Sequence, residues 1–372
     1  MKSIVLVGNG INIQFGGVEY TNRNIIDRAI KNIEEGNFPE DIYPYEIKEY
    51  FERLYAFSSK IIRGKIQIHV GKREEAELRN FIQRYRFHKG KLRYYQIGFE
   101  DYFMLHEFFC RYNHITNPKK FNFQEALKCF FLDSIYNNGD INKLFNLYPK
   151  GLINWFSQFD EIFTTNYDKN IELLTNMEVH YLHGGFHIRK DIYDKNSFRN
   201  KLSDSPIRDY KIIEGYDHLY SNALSTYSGS LKEFSGTMND SANKAITKFV
   251  QAIDEDPKRI NEFAHFKESD NQLLRNMYES IILKLKDKSL QFNDYYPFDK
   301  LKANSGVLTI IGLSPNNDSH ILDMILNNKE IIKIVYYFYE ESEGQTIVNY
   351  FPEKEVELKN VNDFWDEFCQ QN

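Results

Sequence analysis

Hydrophobic positions along this chain fall into two kinds of run. Short continuous stretches rich in β-branched and aromatic residues occur in "SIVLVGNG" (Ile4 to Val7), "FDEIFTT" (159–165), "VHYLHGG" (179–185), "GVLTIIGLS" (306–314) and "IIKIVYYFYE" (331–340). Runs of this length and composition predict strands covered on both faces, as in a parallel sheet. Between them, apolar residues return at helical spacing. Residues 22–150 carry "NRNIIDRAIKNIEE", "PYEIKEYFERLYAFSSKI", "REEAELRNFIQRYRF" and "FNFQEALKCFFLDSIYNN", each with an apolar stripe of Ile, Leu, Phe and Tyr. "KNIELLTN" separates the second and third strands, and "DSHILDMILNN" the last two. Residues 190–300 are polar and irregular, with "SDSPIRD" and "STYSGSLKEFSGT" as loop material and two helices, "SANKAITKFVQAI" and "NQLLRNMYESIILKLKD". Strands alternating with helices predict an α/β fold, a Rossmann-like doubly wound parallel sheet. It would carry large helical insertions at 22–150 and 190–300.

Composition narrows the function classes. The 372 residues are 42% hydrophobic, enough for a sizeable core, and the 16% aromatic content argues against disorder. A net charge of -6 offers no electrostatic footprint for nucleic acid or an anionic membrane, and neither partner is expected. Cys110, Cys129 and Cys369 form no close pair, so neither a disulfide framework nor a zinc ribbon is expected. The start has no signal-peptide pattern and no run reaches membrane-spanning length, which makes a cytoplasmic protein the expectation.

Candidate chemistry lies where the strands end. Four of them finish in glycine-rich or polar turns: Gly8-Asn9-Gly10-Ile11-Asn12, Thr164-Thr165-Asn166-Tyr167-Asp168, His183-Gly184-Gly185 and Gly312-Leu313-Ser314. In a parallel sheet all carboxyl ends face one way, so these turns would gather around one crevice. The "GNG" turn suits close approach of a phosphate, but Ile13 stands where a dinucleotide fingerprint has its third glycine, and a purely structural turn fits equally well. His183 reads either as a ligand-facing histidine or as a hydrogen-bonded core residue. Asp168 reads either as a ligand contact or as a cap on the helix that follows. His180 and His187 lie nearby without acidic or cysteine neighbours that would complete a metal pattern.

Taken in order, "VLVGNGIN…FGG", "FTTNYDKNIE", "YLHGG" and "IIGLSPNNDSHI" resemble the divergent sirtuin-like proteins of bacterial anti-phage defence, and "GNGIN" is closer still to their abortive-infection H branch. The resemblance implies one sirtuin-like domain over residues 1–372, with NAD+ as its substrate. Gly8, Asn9, Gly10 and Asn12 would cradle the dinucleotide, with Thr165 beside them. Asn166 would position ribose and water, Asp168 would orient the loop or a ribose hydroxyl, and His183 would be the general base. Gly312 and Ser314 would line the adenosine side. Asn9 and Asn12 replace the family's Ala and Ser. Its Asp-Phe-Arg is absent, "EYTNR" follows instead with Arg23 as a substitute, and "IVYYFYE" lacks the family's ribose-binding Asn.

The activity so implied is NAD+ hydrolysis to nicotinamide and ADP-ribose. Such cleavage passes through an oxocarbenium-like centre. Nicotinamide leaves neutral, so no acid is needed. An Asn amide orients water without charge, and a His with a pKa of about 6.5 accepts its proton at neutral pH. The resemblance further implies an NAD+-depleting defence effector without zinc, active as a homo-oligomer or with a co-encoded P-loop ATPase. Aromatic-rich "YYQIGFEDYFMLHEFFCRY" points toward subunit contacts. Two alternatives stand: an NAD-dependent protein deacylase, against which the missing zinc module argues, and a non-catalytic dinucleotide-binding sensor or scaffold.

Overall fold

A computed structural model describes residues 2–37, 46–88, 92–203, 205, 212–223, 229–315 and 318–369. Most of "SDSPIRD", and Asn316 and Asn317 of "IIGLSPNNDSHI", lie outside the described residues. The centre is a six-stranded sheet of β1 (Ser3–Val7), β2 (Glu161–Thr164), β3 (Val179–Tyr181), β4 (Gly306–Ile311), β5 (Ile331–Phe338) and β6 (Glu355–Asn360). Its order is β3-β2-β1-β4-β5-β6 and every neighbouring pair is parallel. This is the doubly wound Rossmann-like order, which changes direction between β1 and β4. Leu6, level with both Phe163 and Ile310, sits at the middle of the sheet.

Side chains alternate across the strands with the period of two that an extended chain imposes. Ile4, Leu6, Phe163, Leu308, Ile310 and Ile334 enter one core, whereas Val5, Val7, Ile162, Ile311 and Val335 enter the other. Both faces are buried, so β1, β4 and β5 carry continuous apolar runs.

Between β1 and β2 come α1 (Gly10–Gly16), α2 (Asn22–Glu34), α3 (Ile47–Ile62), α4 (Lys72–Arg86), α5 (Asp101–Tyr112), α6 (Lys119–Tyr136) and α7 (Gly151–Phe156). Their core is aromatic. The Phe131 ring lies 5.0 Å from Phe130, 5.6 Å from Phe99 and 5.9 Å from Phe103. Helix α5 buries Tyr102, Phe103, Met104, Leu105, Phe108 and Cys110 inside this chain. Intrachain packing accounts for most of its aromatic content, Tyr112 at its end being exposed.

Helix α8 (Asn170–Thr175) joins β2 to β3. The β3–β4 connection holds α9 (Phe198–Lys201), α10 (Gly229–Glu255), α11 (Ile260–Phe263), α12 (Gln272–Lys286) and α13 (Phe298–Lys302). Ile246, Val250, Ile253, Ile281 and Phe198 give it a small core of its own. From Gly229 onward, "STYSGSLKEFSGT" is helix rather than the expected loop. Helix α14 (Ser319–Asn327) crosses from β4 to β5, α15 (Glu341–Tyr350) leads to β6, and α16 (Val361–Cys369) follows it. Among the described residues, no helix is long and apolar enough to cross a membrane.

Candidate functional site

The carboxyl ends of β1, β2, β3 and β4 meet, and backbone contacts hold them together. The Gly8 amide donates to Ile311 O at 2.9 Å and the Gly10 amide to Gly312 O at 2.8 Å. A Cβ at Gly8 would stand 2.4 Å from Gly312 O, and one at Gly10 would stand 2.5 Å from Gly312 Cα. Gly312 itself has φ +71°, a conformation L side chains rarely adopt. The glycines thus let the first and fourth turns pack backbone on backbone at the change of direction. Ser314 follows, half-buried.

The asparagines of the first turn are committed within the chain. Asn9 donates from Nδ2 to Tyr20 O at 2.9 Å. Asn12 is buried; it donates to Asp168 Oδ2 at 2.7 Å and accepts from the Tyr148 hydroxyl at 2.9 Å. The other oxygen of Asp168 accepts the Asn170 amide at 3.0 Å and so holds the first residue of α8, whose N-cap is Lys169. Burial raises the Asp168 pKa, and the Asn12 and Asn170 hydrogen bonds oppose that shift. Asp168 therefore ties the β2 turn to α1 and α8. Arg23 is exposed on α2, 3.5 Å from Asp27 and over the Tyr95 ring.

Asn166 is buried and aims Nδ2 at Gly8 O, 3.3 Å away, while its backbone amide donates to Thr164 Oγ1 at 3.0 Å. The half-buried Thr165 donates its amide to Val7 O at 3.0 Å. Two bonds stitch the β3 loop to this turn: Leu182 N to Thr164 O at 2.8 Å and Phe186 N to Tyr167 O at 2.8 Å. His183 lies between them. Gly184, with φ +72°, packs where a Cβ would meet Asn222 O at 2.4 Å.

The partners of His183 come from the far side of the sheet. Its Nε2 is 3.0 Å from His320 Nε2, so one ring must donate and the other accept, and the rings stack with centroids 5.1 Å apart. Asp318 Oδ1 lies 3.9 Å from the same His183 nitrogen. Behind them, Lys232 from α10 is completely buried and pairs with Glu100, which precedes α5. Burial, then the Lys232 charge, pushes the pKa of both histidines well below the usual range. His183 is therefore not the ordinary pKa 6.5 base expected from sequence, because a buried imidazolium beside an ammonium is unfavourable. Burial, then the Glu100 charge, raises Asp318 to about 7, with Lys232 opposing. Tyr167 is buried and held protonated first by that burial, then by Glu100 and Asp318, so the residue after Asn166 faces the same cluster.

His183, Asp318 and His320 each offer one ligand atom, and these atoms lie within 4.8 Å of one another. They are the described residues able to hold a metal here. Asp318, His320, Lys232 and Glu100 were not singled out from sequence. The available signal was Asp318-Ser319-His320 after a polar strand end, in a segment already recognised as motif-bearing. Glu100 and Lys232 arrive from the inserted helices with no local signal. Comparison with protein-family models, curated proteins and solved structures yields no match.

Proposed function

We propose that this chain hydrolyses NAD+ at the carboxyl edge of its sheet. The observation that carries the reading is the meeting of the Gly8–Asn12, Asn166 and Gly312 turns, with His183 stitched beside them, at the change of direction between β1 and β4. In open α/β sheets that is where ligands bind. Asn166 orients water toward the anomeric carbon of the nicotinamide ribose. The new C–O bond forms as the C–N bond breaks, nicotinamide leaves neutral, and the surplus proton passes through His183 to solvent, because its lowered pKa keeps the imidazolium transient. Asp318, 3.9 Å away, offsets the charge gained there when it is ionised. The proposal extends to the setting implied by the motifs: an NAD+-depleting effector of anti-phage defence in the cytoplasm, working as a homo-oligomer or with a co-encoded P-loop ATPase.

One observation favours a second reading. Asn12 and Asp168 are engaged by internal hydrogen bonds, and Asn166 and His183 are buried, so the site is closed as it stands. A dinucleotide sensor that opens on binding, without turnover, fits that closure. Incubation of purified protein with NAD+ separates the readings. Released nicotinamide without an acyl peptide supports hydrolysis, and binding without product supports the sensor.

A further inference from the structure

We infer that His183, Asp318 and His320 form a three-ligand site for a divalent transition-metal ion. Ligand atoms about 2.0–2.2 Å from a tetrahedral zinc ion stand roughly 3.3–3.6 Å apart. The two Nε2 atoms are 3.0 Å apart, His183 Nε2 is 3.9 Å from Asp318 Oδ1, and all three ligand atoms lie within 4.8 Å of one another, so an ion would draw the ligands together by no more than about an ångström. Two imidazoles and one carboxylate select zinc, cobalt or nickel over magnesium or calcium, which prefer all-oxygen shells. Three protein ligands leave a fourth position open, the pattern of zinc sites that bind an exchangeable water.

The environment is compatible with such an ion. His183 and His320 are held rigidly, the first by the β3 loop stitched onto the β2 turn and the second within the first turn of α14. Both are buried, whereas the Asp318 side chain is 14% exposed, which gives an ion a way in. The ammonium of Lys232 would repel a cation if isolated, but Glu100 pairs with it and offsets that charge. Among the described residues His320 Nδ1 is buried and unpartnered, so the polar groups around the pair are not fully satisfied, a deficit that ligation through Nε2 does not itself relieve.

Metal binding stands on this geometry alone. Its consequence for catalysis rests on the hydrolase reading: ligation occupies the Nε2 lone pair that proton acceptance needs, so the loaded chain is the inactive form.

The test is titration of chelator-stripped, full-length protein with Co2+, followed spectroscopically, and with Zn2+ by calorimetry. We expect one ion per chain with the visible bands of low-coordinate cobalt, and a loss of affinity of at least tenfold in both Asp318→Asn and His320→Gln. Circular dichroism checks that the variants fold, and His106→Asn serves as a buried-histidine control with unchanged affinity. Absence of binding, or binding that neither site variant weakens, overturns the site. These readouts do not involve NAD+. If cobalt binds at the three residues but zinc leaves nicotinamide release unchanged, only the inhibitory consequence fails. If cobalt binds and no NAD+ is cleaved by either form, the hydrolase reading fails while the metal site stands.

Discussion

His106 and His183 are both buried histidines with lowered pKa values, yet only one sits where chemistry is plausible. His106 lies on α5 within the inserted helical layer, its Nδ1 2.6 Å from the Tyr50 hydroxyl and its ring beside Cys110. Its hydrogen-bonding neighbours come from α3 and α5, and burial, then the Lys120 charge on α6, takes its pKa to about 3. His183 instead meets a second histidine, a carboxylate and a buried ion pair, drawn from the β3 loop, α14, α10 and the start of α5. Burial and perturbed titration are therefore shared by a packing histidine and a candidate functional one. What separates them is convergence of polar groups from strand ends, which a helix bundle does not provide.

The sharpest way to break the comparison is to damage each region in turn. Phe131→Ala removes a fully buried ring from the aromatic layer and is expected to cost about 3–5 kcal/mol in denaturant unfolding. Cobalt affinity at His183 should not change. Lys232→Met strands the Glu100 carboxylate beside the site and is expected to cost a similar ~3–5 kcal/mol, most of it recovered when Glu100→Gln is added. Failure of the double variant to recover would show that the pair is not coupled.

Smaller effects follow at the turn. Gly10→Ala puts a Cβ against Gly312 Cα at 2.5 Å and is expected to destabilise by roughly 1–3 kcal/mol. A stability loss of this kind would precede any loss of dinucleotide affinity, so thermal unfolding should be measured before binding. The last expected effect is read as a slope with pH, small per unit near neutrality and accumulating as pH falls. His106 has a folded pKa of about 3 and an unfolded one of about 6.5, so its contribution is complete above pH 6.5. It is lost as pH falls toward 3, at up to about 1.4 kcal/mol per pH unit. His106→Asn should flatten the stability–pH curve in that window, whatever constant packing cost it adds. An unchanged slope would mean that His106 is not buried neutral.

How much of this was legible in the sequence differs between elements for physical reasons. Strands β1, β4 and β5 announce themselves because both faces of a central parallel strand must be apolar. Strand β6 does not. It is an edge strand whose "EVELKN" alternates Val356 and Leu358 with charged residues, and its neighbour's Lys333 pairs with Glu355 and Glu357. The start of α10 read as loop because Gly and Ser favour turns. Yet Gly236 lets Phe298 pack where a Cβ would come within 2.3 Å, so tertiary packing overrides local preference.

The site shows the same division. Asn166 and His183 were visible as strand-end residues. His320 was not singled out, because its partnership with His183 spans 137 positions in the chain and no spacing rule reaches that far. That Asp168 could bond to the helix after it was visible as one of two readings; its bond to Asn12 required the fold.

The central claim is that the carboxyl edge of the sheet cleaves NAD+. The most direct test is nicotinamide release from NAD+ by the purified, chelator-treated chain, compared with Asn166→Ala. Asn166 lies outside the proposed metal ligands, so its loss reads catalysis without disturbing them. The expected result is turnover by the unmodified chain and less than a tenth of that rate in the folded variant. Turnover that survives in Asn166→Ala, or no nicotinamide from the unmodified chain, would contradict it.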